Sequence, residues 1–158
     1  MKQIKLTQGK FALVDDEDFE WLNQFHWSVD GSGYPQRAIK TEKGWRPLRM
    51  HRDILKLKAG EHGDHINGDK LDNRRSNLRK CTQKENNRNM KPSSSNSTGY
   101  KGVRYRKDKW RTQKWYAEIM IANKKIYLGG FDTKEQAALA YNQAAKKYFG
   151  DFAYLNPL

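Results

Sequence analysis

Residues 90–98, MKPSSSNST, are the one low-complexity stretch of the chain, and they constrain what it can fold into. A proline and a run of serines, with no apolar residue after Met90, read as an exposed linker. Fully extended, such a stretch spans about 30 Å at ~3.3 Å per residue. The 158 residues have room for one ordinary domain or two to three small ones, and the linker favours the latter. The single cysteine, Cys81, excludes an internal disulfide and zinc sites of the CxxC kind, so the bodies on either side must hold by packing.

Charge divides the chain further. Residues 1–48 carry seven basic and seven acidic side chains, residues 49–97 twelve and six, and residues 98–158 twelve and five. The whole net charge of +13 therefore sits in the last two thirds, which points to a polyanion as partner. No apolar run approaches the roughly 18 residues of a membrane span. The N-terminus, MKQIKLTQGKFALVDDED, turns acidic where a signal peptide has its apolar core. A soluble, cytoplasmic protein with no membrane partner is expected.

The first region, 1–48, reads as small β elements around a short helix. KLTQGKFALV suggests a hairpin, and DDEDFEWLNQFHW spaces Phe19, Leu22 and Phe25 three apart behind acids that suit a helix start. Trp21, Trp27 and Trp45 read as core. In the second region, 49–89, MHRDILKL is a short helix or strand-to-helix segment and DHINGDKLDN a hairpin-like loop with an Asn-Gly signal. SNLRKCTQKENNRN reads as a terminal helix with Ser76 at its N-cap and Leu78 inward. In the third, 99–158, Val103, Ala117, Ile119, Ile121, Ile126 and Leu128 fall on one face of three strands, leaving Lys101, Arg104, Arg106, Glu118, Met120, Lys125 and Tyr127 for the other. A helix follows, with Thr133 and Gln136 as a capping box and Gly150 as its stop. Its alanines suit close packing, with Tyr141 and Tyr148 filling edges.

Residues 63–79, GDHINGDKLDNRRSNLR, carry the chemistry. Asp64 can bind a hard cation, and His65 can take a proton near neutral pH. Asn77 and Asn86 can orient or ligate. This pattern resembles the HNH endonucleases over residues 50–89, in the phage and intron-encoded branch whose third motif residue is asparagine; KLTQGKFALVDDEDFEWL is similar to the leader of such proteins. The resemblance implies a ββα-metal core, with Asp64 and Asn86 as metal ligands, His65 as general base and Asn77 orienting that base. It also implies one divalent cation, Mg²⁺ with Mn²⁺ as substitute, no structural zinc, and a bacterial host cell. Arg74, Arg75 and Arg79 surround the site as phosphate-binding candidates. His51 reads as structural or backbone-contacting, and His26 and His62 have no evident partner.

The third region resembles the AP2/ERF DNA-binding domain through GYKGVRYR, KWYAEI, KIYLGGFDTKEQAALAYNQAA and the final YLN. That resemblance implies a three-stranded antiparallel sheet, backed by one helix, in the major groove of double-stranded DNA. Lys101, Gly102, Arg104, Arg106, Lys125 and Tyr127 then stand at DNA-contacting positions. The loop KDKWRTQK is longer than in plant relatives, and Met120 replaces a frequent arginine, so the plant target sequence does not transfer.

The expected fold class is α+β: a β-rich region over 1–48 supporting a ββα-metal nuclease unit over 49–89, then the linker and an AP2-like sheet and helix over 99–158. The expected function is a site-targeted, metal-dependent DNA endonuclease of the homing type that nicks one strand, acting as a monomer. The competing reading is a DNA-binding regulator that keeps the nuclease fold as a non-cleaving scaffold.

Overall fold

A computed structural model describes all residues, 1–158, and divides them into two units, Met1–Asn86 and Asn87–Leu158. No helix in it is long and apolar enough to cross a membrane.

The first unit opens with an antiparallel hairpin of β1 (Lys2–Lys5) and β2 (Phe11–Val14), turned through Gln8 and Gly9 at positive φ. Helix α1 (Asp16–Leu22) follows, with Asp16, Glu17 and Asp18 in its first turn, where the helix dipole favours anions. It ends before Phe25, which lies 39% exposed with the Arg37 guanidinium 3.9 Å from its ring centre. Strands β3 (Ser28–Val29), β4 (Pro35–Thr41) and β5 (Gly44–Arg49) form a second antiparallel sheet in that order. Trp45 pairs with Lys40 near the outer end of its hairpin and is 72% exposed, so it is not core. Trp27 is buried, its indole N–H donating to the Leu22 carbonyl at 2.8 Å.

Helix α2 (Met50–Ile54) leads to a third sheet, β6 (His62–His65) paired antiparallel with β7 (Leu78–Cys81). The stretch expected to start a helix at Ser76 is this strand. Ser76 sits in a single 3-10 turn, Arg75–Asn77, and pairing with β6 outweighs local propensity. Helix α3 (Gln83–Asn89) begins only after Thr82, whose hydroxyl and backbone N–H engage the Glu85 carboxylate. One apolar core joins Ile4, Val14, Leu22 and Trp27 with Met50, Ile54 and Leu78, so the segments on either side of position 48 share it.

The second unit is a three-stranded antiparallel sheet in the order β10 (Lys124–Phe131), β9 (Trp115–Ile121), β8 (Val103–Tyr105). It is backed by α4 (Lys134–Phe149), capped by the expected Thr133–Gln136 box. Ala137, Ala138, Ala144 and Ala145 bring the helix close to Val103, Ala117 and Ile119. Tyr141 is buried among them, whereas Tyr148 is 45% exposed because it lies on the outer side of the helix. The end of the linker is folded in: Asn96 Oδ1 accepts from the backbone of Thr98 and Gly99, and the Thr98 hydroxyl reaches the Tyr100 carbonyl.

Gly102 shows how tight this packing is. At φ +74°, a Cβ there would run into the Tyr141 ring and lie 2.6 Å from the Glu118 carbonyl oxygen. Gly102→Ala should therefore destabilise the second unit by roughly 2–4 kcal/mol, from overpacking and left-handed strain together. Denaturant unfolding of the full chain would register this as an earlier transition for that unit.

Candidate functional site

Strand β6 delivers Asp64 and His65 side by side, both buried. Asp64 faces Arg79 across the β6–β7 ladder, and its Oδ2 accepts from Arg79 Nε at 2.9 Å and Nη2 at 2.6 Å. The residues after His65 form a loop knitted by its own polar side chains. Asn67 Oδ1 accepts from the Asp69 backbone, and the Asn67 amide donates to Asp72 Oδ2. Asn77 accepts from the Asn67 backbone and donates to Asn67 Oδ1 and the Asp72 carbonyl. Those bonds make Asn77 the loop's clamp.

The partner on the imidazole is a residue the sequence reading did not single out. Asn73, wholly buried, sets its Oδ1 3.3 Å from His65 Nε2. Its amide nitrogen donates to the Lys70 carbonyl at 3.0 Å, which fixes which end of the carboxamide faces the histidine. With an oxygen against it, Nε2 carries the ring proton and Nδ1 the basic lone pair. The Asn73 N–H is held by the Leu13 carbonyl, and the Leu13 N–H by the Leu71 carbonyl, so β2 anchors the loop. Burial pulls the His65 pKa below the usual imidazole range, against the opposing pull of the Asn73 bond and of Asp64, Asp69 and Asp72. The ring is thus neutral at physiological pH.

His51 of α2 is also buried, its ring edge-on to that of His65 with centres 5.0 Å apart. Its Nδ1 is the one buried side-chain polar atom with no hydrogen-bond partner. Burial, followed by the charges of His65, Arg49 and Arg52 and against that of Asp30, lowers its pKa to about 3. Gly63 makes room for it: a Cβ at that position would stand 3.0 Å from His51 Cδ2 and from Leu57 Cδ1. Tyr34 completes the ring cluster, 5.4 Å from His51 and 5.9 Å from His65.

Asn86 lies on α3, half-buried, with its backbone N–H on the Thr82 carbonyl and against the Cys81 thiol. Asp64 acts electrostatically on the same thiol, which burial pushes up to about 11. The two side chains expected to hold a metal, Asp64 and Asn86, carry a carboxylate and a carboxamide. Hard donors of that kind, few in number, suit Mg²⁺ or Mn²⁺, which keep waters and take phosphate oxygens. No three His, Cys, Asp or Glu side chains gather into a group that could hold a metal by themselves. The three arginines expected at the site are paired with carboxylates: Arg74 with Asp72, Arg75 with Asp18 and Glu17, and Arg79 with Asp64.

In the second unit, the outer sheet face carries Arg104, Arg106, Glu118, Lys125 and Tyr127. Arg104 and Lys125 flank the Glu118 carboxylate at 2.5 and 4.0 Å, and the Arg106 guanidinium lies over the rings of Tyr116 and Tyr127. Lys101 is not presented with them. Its ammonium donates to the carbonyls of Asn87, Arg88 and Met90, and burial lowers its pKa to about 8. Gly102 serves the packing described above.

An HNH endonuclease family model matches residues 51–88 and an AP2 domain model residues 98–151. An uncharacterized HNH endonuclease of Acanthamoeba polyphaga mimivirus is 32% identical over 157 residues, covering 96% of this chain and 77% of that protein. Dehydration-responsive element-binding protein 2D of Arabidopsis thaliana is 50% identical over 62 residues, 38% of this chain and 28% of that protein. Its counterpart 2E of Oryza sativa subsp. japonica is 49% identical over 59 residues, 36% of this chain and 17% of its own. No solved structure matches significantly.

His51 takes up a proton near pH 6.5 when unfolded but only near pH 3 when folded, so the unfolded state gains protons first as pH falls. Stability should drop by about 2 kcal/mol between pH 7 and pH 5 from this residue, with His65 adding in the same direction. Urea unfolding at the two pH values measures the drop, and His51→Phe should reduce it.

Proposed function

Because the chain belongs to the HNH endonuclease family and carries an AP2 DNA-binding domain, we propose that it is a site-targeted, divalent-metal-dependent DNA endonuclease of the homing type. The observation that carries the reading is the buried, neutral His65 beside Asp64, with its tautomer set by Asn73. His65 acts as general base, taking a proton from the water that attacks phosphorus in line. Asn73 orients that base, and Asn77, the residue expected to do so, keeps Asn73 in place by closing the loop around it. Arg79 holds the Asp64 carboxylate in a single orientation through two hydrogen bonds to one oxygen.

Asp64 and Asn86 would hold the cation, Mg²⁺ or Mn²⁺, in a ββα-metal arrangement. When bound, the ion would stabilise the charge that develops on the phosphate and on the leaving 3′ oxygen. A single site per chain corresponds to nicking one strand by a monomer. The AP2 sheet supplies the targeting: Arg104, Arg106, Lys125 and Tyr127 are the side chains offered to the major groove, which admits a β-ribbon or sheet edge.

Purified full chain incubated with duplex DNA and Mg²⁺ or Mn²⁺ should give discrete 5′-phosphate ends. EDTA should abolish them, and His65→Ala or Asn73→Ala should slow their formation by at least about 10²-fold, the usual contribution of a positioned base. Salt-sensitive DNA binding without cleavage in either metal would instead establish the regulator reading.

A further inference from the structure

The loop Asp30–Tyr34, reading D-G-S-G-Y, is built with more care than a connection between short strands requires. Asp30 Oδ1 accepts from the backbones of Ser32 and Tyr34 at 2.8 and 2.9 Å, while its Oδ2 accepts from Arg49 Nε at 3.0 Å. Lys70, from the loop after His65, lays its stem over Gly33 and donates from Nζ to the Ser32 carbonyl at 2.7 Å. Both cations lie over the Tyr34 ring, Arg49 at 4.2 Å and Lys70 at 4.7 Å from its centre. That ring stands directly against those of His51 and His65. Burial keeps the Tyr34 hydroxyl protonated to above its ordinary pKa, with the charges of Asp30 and Asp64 acting in the same sense against that of Arg49.

We propose that Tyr34, Arg49 and Lys70 form a seat for a backbone phosphate of the DNA strand, next to the phosphodiester that the water activated by His65 attacks. The inference rests on the nuclease reading above and deepens it. Two cations share one carboxylate, Asp30, and one backbone carbonyl. Lys70 uses one of its three ammonium donors on protein, which leaves N–H groups for a phosphate oxygen. The aromatic face holds both cations in place without neutralising them, as an anion would. Loop anchoring alone would need a single donor at position 70 and no charge.

That difference makes the test. Lys70→Gln keeps a donor for the Ser32 carbonyl and removes the charge; Lys70→Arg keeps the charge. Binding of the full chain to a duplex of about 30 base pairs, in EDTA and across a salt series, reads the phosphate contacts, each worth about 0.9 in the slope of log K against log salt. The Lys70→Gln slope should be shallower by about that amount. Its single-turnover nicking in Mg²⁺ should fall at least tenfold, with Lys70→Arg near wild type on both measures. A wild-type slope and wild-type rate in Lys70→Gln would overturn the proposal, as would a lowered melting temperature as the only change. If the wild-type chain binds DNA but never cuts, the nuclease reading fails on its own, while the slopes still decide whether a phosphate occupies this seat.

Discussion

Everything chemical in the first unit depends on one buried carboxamide. Asn73 has no contact with solvent, and a buried amide must find partners for its donors and its acceptor or cost about 1–3 kcal/mol for each that is stranded. The carboxamide takes the Lys70 carbonyl and His65 Nε2, while the backbone N–H of the same residue takes the Leu13 carbonyl. Those bonds locate the loop against β2, locate the imidazole against the loop, and choose the nitrogen that carries the proton. Asn67, Asp72 and Asn77 then close the loop with hydrogen bonds among themselves, so its buried polar groups are satisfied without a regular ladder.

Charge is organised differently in the two units. In the first, carboxylates meet most of the arginines near the site: Asp72, Asp18 and Asp64 each hold one. Basic side chains there stiffen the protein, and net positive charge near the loop falls to Lys70 and to Arg49, which shares Asp30. In the second unit the outer sheet face keeps Arg104 and Lys125 more than half exposed around one acid, Glu118. Basic side chains therefore do two jobs, structural pairing in one body and presentation in the other.

Much of this was legible beforehand. The N-terminal hairpin, the capping box and the alternation of Val103, Ala117 and Ile119 all stand where a turn signal, a cap signal or a period of two places them. What escaped has a common cause. Leu78–Cys81 is too short for its period to separate strand from helix, and only the partner strand decides. Asn73 sits in a loop, where no periodicity marks a residue and three-dimensional bonds give it its role. The ion pairs of Arg75 and Arg79 reach across the sequence, 57 positions from Arg75 to Asp18, and no local pattern could disclose them. Trp45 reads as core from hydrophobicity alone, which does not say which face of an outlying hairpin is covered.

Gly63 gives the site its mechanical character. The empty place where its side chain would be is filled by the rim of His51, and the other face of that contact is His65. Residues with side chains usually define a reactive centre; here a residue without one sets the clearance. A single methyl group added at position 63 would press on His51, Leu57 and Leu55 at once, and each would have to give by a few tenths of an ångström. The clearance beside the His51–His65 ring pair is therefore set by an atom that is missing, and the glycine of G-D-H acts as a spacer of the thinnest gauge.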